Sequence, residues 1–274
     1  MNHVIGKNAI EQKFADRKDP LFIPFITAGD PAPETTIEIA IALEAAGADI
    51  LELGVPYSDP LADGPTIQRA SARALRHQIS IRDCVHMVGA MREKGLTIPV
   101  ILFTYFNPVM QYGVERLFEE MKVYGLDGIL IPDLPVEESG QVKELSQKAG
   151  LPLISLVAPT SQKRIQKIAE QADGFLYCVS SLGVTGARSE LGEGVTSFLQ
   201  EVRKHSRVPV AVGFGISRPE QMGQLAPHCD GLIVGSALVQ VIEEAGEQLI
   251  NTNTKEKGLE MIKMFVQNLK SGVR

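Results

Sequence analysis

The sequence predicts a protein of the α/β class, built as a single-domain (β/α)8 TIM barrel over residues 1–274, because two kinds of segment alternate along it. Short apolar runs rich in β-branched residues recur eight times. Segments with apolar residues at helical spacing separate them. Continuous apolar runs are typical of parallel strands covered by helices, and eight strand–helix units in about 250 residues fit a closed barrel.

The predicted strands are distributed along the whole chain. Three of them have proline at or near the start, at Pro99, Pro152 and Pro209, where a strand loses no ladder hydrogen bond. The runs are LFIPFI (21–26), DILEL (49–53), PVILF (99–103), DGILI (127–131), PLISLV (152–157), GFLYCV (174–179), VPVAV (208–212) and DGLIV (230–234).

Amphipathic helices are predicted between these strands. Over residues 161–172, Ile165, Ile168 and Ala169 fall on one face and charged residues on the other. Over residues 137–150, Val142 and Leu145 begin a similar stripe, which Gly150 should end as a C-cap. Further stripes lie over residues 37–41 and 259–269, and we expect one extra helix before the first strand.

An open, doubly wound sheet is the alternative fold. It is less favoured because no G-x-G-x-x-G motif follows the first strand, and no linker rich in serine, glycine or proline divides the chain.

Composition argues against several classes of function. The net charge of −6 does not suit non-specific binding to nucleic acids or anionic membranes, which requires a dense basic face. No apolar stretch approaches the ~20 residues that span a bilayer, and the first residues lack a signal-peptide pattern, so we expect a cytoplasmic protein. The three cysteines and five histidines show no disulfide or metal-ligand spacing, so we expect no metal site.

Carboxylates are concentrated after the second strand, in LELGVPYSDPLADGP (51–65). In barrels of this kind, the working groups lie at the carboxyl ends of the strands and in the loops that follow. Glu52, flanked by Leu51 and Leu53, should be partly desolvated, which would raise its pKa. Asp59 and Asp63 also suit this site, although each lies beside turn residues and could serve the turn alone.

The predicted strands contain neither lysine nor histidine. A Schiff-base aldolase would need the former and a metal-dependent one the latter. The remaining polar groups expected at the mouth are carboxylates, hydroxyls and phenols, namely Glu52, Ser58, Asp63, Tyr105, Tyr177 and Thr185. If the protein is an enzyme, its chemistry is proton transfer by carboxylates.

Glycine-rich segments follow the seventh and eighth strands, as VGFGIS and IVGSAL. Loops at these positions commonly bind phosphate through backbone N–H groups and a helix N-terminus. Gly213, Gly215 and Gly235 would allow close approach, and Ser236 adds a hydroxyl at a helix start. The glycines could also serve only to turn the chain.

These motifs together resemble the tryptophan synthase alpha chain family. The resemblance rests on PFITAGDP, LELGVPYSDPLADGP, IPDLPVEES, SSLGVTGAR, VGFGIS and IVGSAL, which follow in the family's order from about residue 20 to residue 245. It implies a barrel lyase that cleaves indole-3-glycerol phosphate to indole and glyceraldehyde 3-phosphate. The absence of a strand lysine or histidine suits this reaction, because the indole ring supplies its own electron sink.

The resemblance also implies roles for individual residues. Glu52 is the expected general acid and base, and Asp63 the expected partner of the indole N–H. Phe25 and Phe103 should flank the indole ring, Tyr177 should lie beside Glu52, and Tyr105 is expected to bind the substrate. Phosphate binding and lid closure are assigned to the residues of the last three loops: Thr185, Gly186, Phe214, Gly215, Gly235 and Ser236.

The family implies a partner as well, a tryptophan synthase beta chain with which it forms an alpha2–beta2 heterotetramer. Asp59, Pro60, Asp133, Pro135 and the segment FNPVMQYG (106–113) should face that partner. No cofactor is expected in this chain, and pyridoxal phosphate is expected only in the beta chain. Three alternatives remain open: a free-standing lyase that releases indole, a phosphosugar isomerase or epimerase, and a non-catalytic subunit.

Overall fold

The chain forms a closed barrel of eight parallel strands surrounded by helices, which confirms the predicted fold. The structure is a computed structural model and describes residues 6–159, 162–179, 194–213 and 215–273. The strands are β1 (Leu21–Thr27), β2 (Leu51–Gly54), β3 (Val100–Phe103), β4 (Gly128–Leu130), β5 (Leu153–Val157), β6 (Leu176–Val179), β7 (Val210–Gly213) and β8 (Gly231–Val234). Each strand pairs with the next, and β1 pairs with β8 to close the barrel.

In the described part of the chain, at least one helix lies between each strand and the next. They are α1 (Lys7–Ala15), α2 (Pro33–Ala45), α3 (Pro65–Leu75), α4 (Ile81–Glu93), α5 (Phe106–Tyr112), α6 (Val114–Tyr124), α7 (Gly140–Ala149), α8 (Gln162–Gln171), α9 (Val195–His205), α10 (Pro219–Leu225), α11 (Ser236–Glu244), α12 (Gly246–Ile250) and α13 (Lys255–Lys270). Short 3-10 turns span Ala226–His228 and Ser271–Val273. Among the described residues, no helix is long and apolar enough to span a bilayer.

Local sequence explains where several helices begin and end. Proline occupies the first turn of α2, α3 and α10, where its missing N–H costs nothing. Ser80 and Asp83 form a capping box at the start of α4. Gly150 ends α7 in the left-handed conformation, as the sequence predicts.

Alternate strand residues face two separate cores. Leu21 and Ile23 of β1 belong to the cluster inside the barrel, whereas Phe22 and Ile26 pack against the outer helices. Helix α1 closes the end where the strands begin, because its Ile10 and Phe14 join the inner cluster. The opposite end, where the strands finish, is therefore the open mouth.

A buried carboxylate ties this closed end together. Asp127, just before β4, accepts the backbone N–H groups of Gly6 and Val100, each at 2.8 Å. The Arg92 guanidinium also donates to Asp127, at 2.8 Å, to the same oxygen that accepts the Val100 N–H. Three separate segments are thus held by one fully buried side chain.

Candidate active site

Glu52 is a fully buried carboxyl group at the mouth of the barrel. In the parallel register it lies beside Phe25 of β1 and Ile101 of β3, and its side chain is 0% exposed. Neither carboxylate oxygen has a hydrogen-bond partner among the residues that the structure describes. Burial raises the pKa of Glu52 to about 8. At pH 7 the group is therefore mainly a neutral carboxylic acid that can donate a proton.

Tyr177 of β6 is an electrostatic neighbour of Glu52. Removal from water and then the Glu52 charge raise the pKa of its phenol, so the hydroxyl keeps its proton. Gly213 of β7 makes room for this side chain, because a Cβ there would lie 2.5 Å from the Tyr177 hydroxyl oxygen. The strand end of β7 thus has a packing reason for glycine, besides any contact with phosphate.

Two phenylalanine rings form an apolar wall beside Glu52. Phe25 and Phe103 meet edge to face, with ring centroids 5.4 Å apart and an interplanar angle of 80°. Gly54 of β2 is required by this packing, because a Cβ there would lie 2.4 Å from the Phe25 ring. Gly235 also borders Phe25, at 3.7 Å between a Cβ placed there and the Phe25 Cβ. The wall suits a flat aromatic ligand.

Asp63 lies in the loop that leads into α3, held by a tyrosine. The hydroxyl of Tyr105, a residue that is only 3% exposed, forms a hydrogen bond with the Asp63 carboxylate and accepts the Ala62 N–H at 3.0 Å. Burial raises the pKa of Asp63, and the Tyr105 hydrogen bond opposes the rise. Tyr105 therefore holds two consecutive residues of the loop at the mouth.

The strand ends of β7 and β8 form the third side of the mouth. Helix α11 begins at Ser236, directly after Gly235, and its first N–H groups have no helical partner. Gly215 has a φ of 66°, in the region that favours glycine. This geometry suits an anion. Phe214, and the predicted lid residues Thr185 and Gly186, lie outside the described residues.

The predicted partner-facing residues lie at the same end of the barrel, in the loops after β2 and β4. Asp59, Asp133 and Pro135 are exposed and Pro60 is partly exposed. Asp133 accepts the Phe106 N–H at 2.9 Å, which joins its loop to the start of α5.

Sequence reasoning did not single out Gly54 or Tyr57. Gly54 belongs to the quoted acidic motif, but only the register with β1 shows that it faces Phe25. Tyr57 stacks on Tyr105, with centroids 5.0 Å apart and the rings 29° from parallel. Its position directly after Val55 and Pro56 gave no sign of that contact.

Comparison with known sequences identifies a family that matches nearly the whole chain. The model of the family described as Tryptophan synthase alpha chain matches residues 12–274. A tryptophan synthase alpha chain from Geobacillus stearothermophilus is 60% identical over 250 residues, covering 91% of this chain and 93% of that relative. One from Geobacillus kaustophilus is 59% identical over 255 residues, covering 93% and 95%.

Solved structures of tryptophan synthases contain chains with the same fold. The tryptophan synthase alpha subunit of Legionella pneumophila matches with a TM-score of 0.86 and 37% identity, over 98% of both chains. A chain from a study of mutual activation in the α2β2 tryptophan synthase complex of Pyrococcus furiosus matches with a TM-score of 0.82 and 36% identity, over 93% of this chain and 99% of that one.

Proposed function

The chain belongs to the tryptophan synthase alpha chain family, and from that premise we propose that Glu52 and Asp63 carry out its reaction. The reaction is the lyase step of tryptophan biosynthesis that cleaves indole-3-glycerol phosphate to indole and glyceraldehyde 3-phosphate. One observation supports the proposal most: Glu52 is a buried carboxyl group with no partner among the described residues and with a pKa raised to about 8.

Glu52 serves as the general acid and then as the general base. The neutral carboxyl group donates its proton to C3 of the indole ring, which becomes an indolenine cation. The carboxylate left behind removes the proton of the hydroxyl group on the carbon attached to C3. The bond between these carbons breaks, its electron pair returns to the ring, and the hydroxyl oxygen becomes the aldehyde oxygen.

Asp63 stabilises the positive charge that develops on the ring. A carboxylate accepting the indole N–H lowers the energy of the cation more than that of the neutral substrate, which is the requirement for catalysis. Tyr105 holds the Asp63 carboxylate through its hydroxyl group, so the charge is placed before the substrate binds. The neutral phenol of Tyr177 lies near Glu52.

The remaining predicted residues bind and enclose the substrate. Phe25 and Phe103 pack against the indole ring, as their edge-to-face wall suggests. The backbone at Gly215 and Gly235, with Ser236, binds the phosphate group at the start of α11. We extend this role to Gly186 and Phe214, and assign to Thr185 the closing contact of a lid that excludes water.

The partner of the family is the tryptophan synthase beta chain, in an alpha2–beta2 assembly. We propose that the beta chain covers the exposed loops at the mouth, including Asp59, Pro60, Asp133 and Pro135. Leu61 is 84% exposed and Met110 is 57% exposed at this same end, which favours a complexed lyase over a free-standing one.

We further propose that residues 1–274 act as one domain, and that the chain needs no cofactor of its own, with pyridoxal phosphate held only by the beta chain. A cytoplasmic location is also proposed. It is supported by Cys84, Cys178 and Cys229, which are free, buried thiols, as expected in a reducing compartment.

The assignment of Glu52 and Asp63 is tested by separating substrate binding from turnover. For Glu52→Gln and Asp63→Asn we expect kcat to fall by at least about 100-fold, the scale of one general acid or base. The Kd for an indole alkyl phosphate that lacks the reacting hydroxyl should change much less for Glu52→Gln. Wild-type kcat in either variant would contradict the role of that residue.

A further inference from the structure

A chain of side-chain contacts joins the partner-facing start of α5 to Asp63. The Asn107 side-chain amide donates to the Tyr57 hydroxyl at 3.1 Å. The Tyr57 ring stacks on Tyr105, with centroids 5.0 Å apart. The Tyr105 hydroxyl in turn forms the hydrogen bond with Asp63 and accepts the Ala62 N–H. Each contact is direct, so the four side chains form one continuous series.

The two ends of this series lie in different surroundings. Asn107 is exposed, on the first turn of α5, whereas Tyr105 is buried at 3% exposure. An exposed apolar side chain at the mouth of the barrel lies near each end of this series. Met110 lies one turn after Asn107 on α5, and Leu61 directly precedes Ala62. A partner that covers Met110 and Leu61 would therefore press on both elements that the series connects.

We propose that Tyr57 is a positioning residue through which contact of the beta chain with the first turn of α5 sets the placement of Asp63. The inference rests on the proposed function, because it assumes that Asp63 acts on the substrate. The Asn107 amide fixes the Tyr57 phenol only while the α5 turn holds its place. Docking of the beta chain immobilises that turn, the Tyr57 ring then holds the Tyr105 ring, and the Tyr105 hydroxyl holds the Asp63 carboxylate.

The prediction concerns the ratio of turnover with and without the partner. Tyr57→Phe removes only the hydroxyl group that Asn107 holds and keeps the ring that stacks on Tyr105. We expect basal turnover of the full-length chain to stay within about twofold of wild type. The activation by a saturating beta chain should fall about 2- to 10-fold, the factor expected for one lost hydrogen bond.

The matched control is a tyrosine on α5, the helix that carries Asn107. Tyr112→Phe removes a hydroxyl group that donates to Glu120 at 2.6 Å, at the far end of α5 and away from Tyr105. This variant should be activated as strongly as wild type. Asn107→Ala should match Tyr57→Phe, and the double variant should lose no more than either single one, because both remove the same bond.

The measurement is glyceraldehyde 3-phosphate release at increasing beta-chain concentrations up to saturation, for these variants and for Asp63→Asn. Full activation of Tyr57→Phe, equal loss in Tyr112→Phe, or additive losses in the double variant would each overturn the inference. Undiminished turnover in Asp63→Asn would instead contradict the proposed function of Asp63, so the two failures are distinguishable.

Discussion

Replacing Glu52 by glutamine should stabilise the protein increasingly as pH rises. The wild-type folded chain keeps a proton on Glu52 up to a pKa of about 8, whereas the unfolded chain releases it near 4.5. Between these values the folded state binds more protons, so each pH unit lowers the free energy of unfolding by about 1.4 kcal/mol. Glutamine has a similar shape and does not titrate, so Glu52→Gln escapes this loss.

The magnitude follows from the width of the window. From pH 5.5 to pH 7.5, two pH units lie inside it, so the stability difference between Glu52→Gln and wild type should grow by about 3 kcal/mol. Any constant cost of burying the amide cancels, because it is the same at both pH values. Below pH 4.5 and above pH 8 the difference should become level.

Urea unfolding followed by far-UV circular dichroism at several pH values measures this difference. Glu93→Gln is the matched control, because Glu93 is an exposed carboxylate at the end of α4. The difference in the free energy of unfolding between Glu93→Gln and wild type should be the same at every pH measured. If the Glu52→Gln offset also changed by less than about 1 kcal/mol, Glu52 would titrate normally in the folded chain, and the reasoning from its burial would be refuted.

Three further predictions test the mouth and the closed end of the barrel. Glu52→Asp should lower kcat about 100-fold with an unchanged circular dichroism spectrum, because the shorter side chain misplaces the proton by about 1 Å. Near-normal turnover would argue against Glu52 as the general acid and base. The wild-type kcat/KM should fall as pH rises through about 8, where the Glu52 acid form is lost, and a flat profile to pH 9.5 would disagree. Asp127→Ala should lower the free energy of unfolding by about 3–5 kcal/mol, because it leaves Arg92 buried without its carboxylate partner. Urea unfolding curves measure this, and a loss below about 1 kcal/mol would show that Asp127 does not tie the closed end together.

The strands were predictable because both faces of the sheet are buried, one inside the barrel and one against the helices, so each strand is a continuous apolar run. All eight apolar runs became strands, and their bounds differ from prediction by only one or two residues. The predicted runs begin one or two residues before several of the strands. Asp49 and Asp127 precede β2 and β4; their carboxylates accept the N–H groups of Phe22 and Val100, and their own N–H groups donate to the carbonyl oxygens of the same two residues.

The position of the site was predictable, but its internal contacts were not. The rule that strand ends carry the chemistry led to Glu52 and to the glycines after β7 and β8. The contact of Gly54 with Phe25 depends on the register of two strands whose paired residues are 27 positions apart along the chain. The stack of Tyr57 on Tyr105 depends on how two loops pack. Neither is visible as a local pattern.

The central claim is that the buried Glu52 carboxyl group performs the proton transfers that cleave indole-3-glycerol phosphate. The most direct measurement is glyceraldehyde 3-phosphate release by wild type and Glu52→Gln, each with and without a tryptophan synthase beta chain. We predict slow release by wild type alone, faster release with the beta chain, and loss of both in the variant. Substantial release by Glu52→Gln in either condition would contradict the claim.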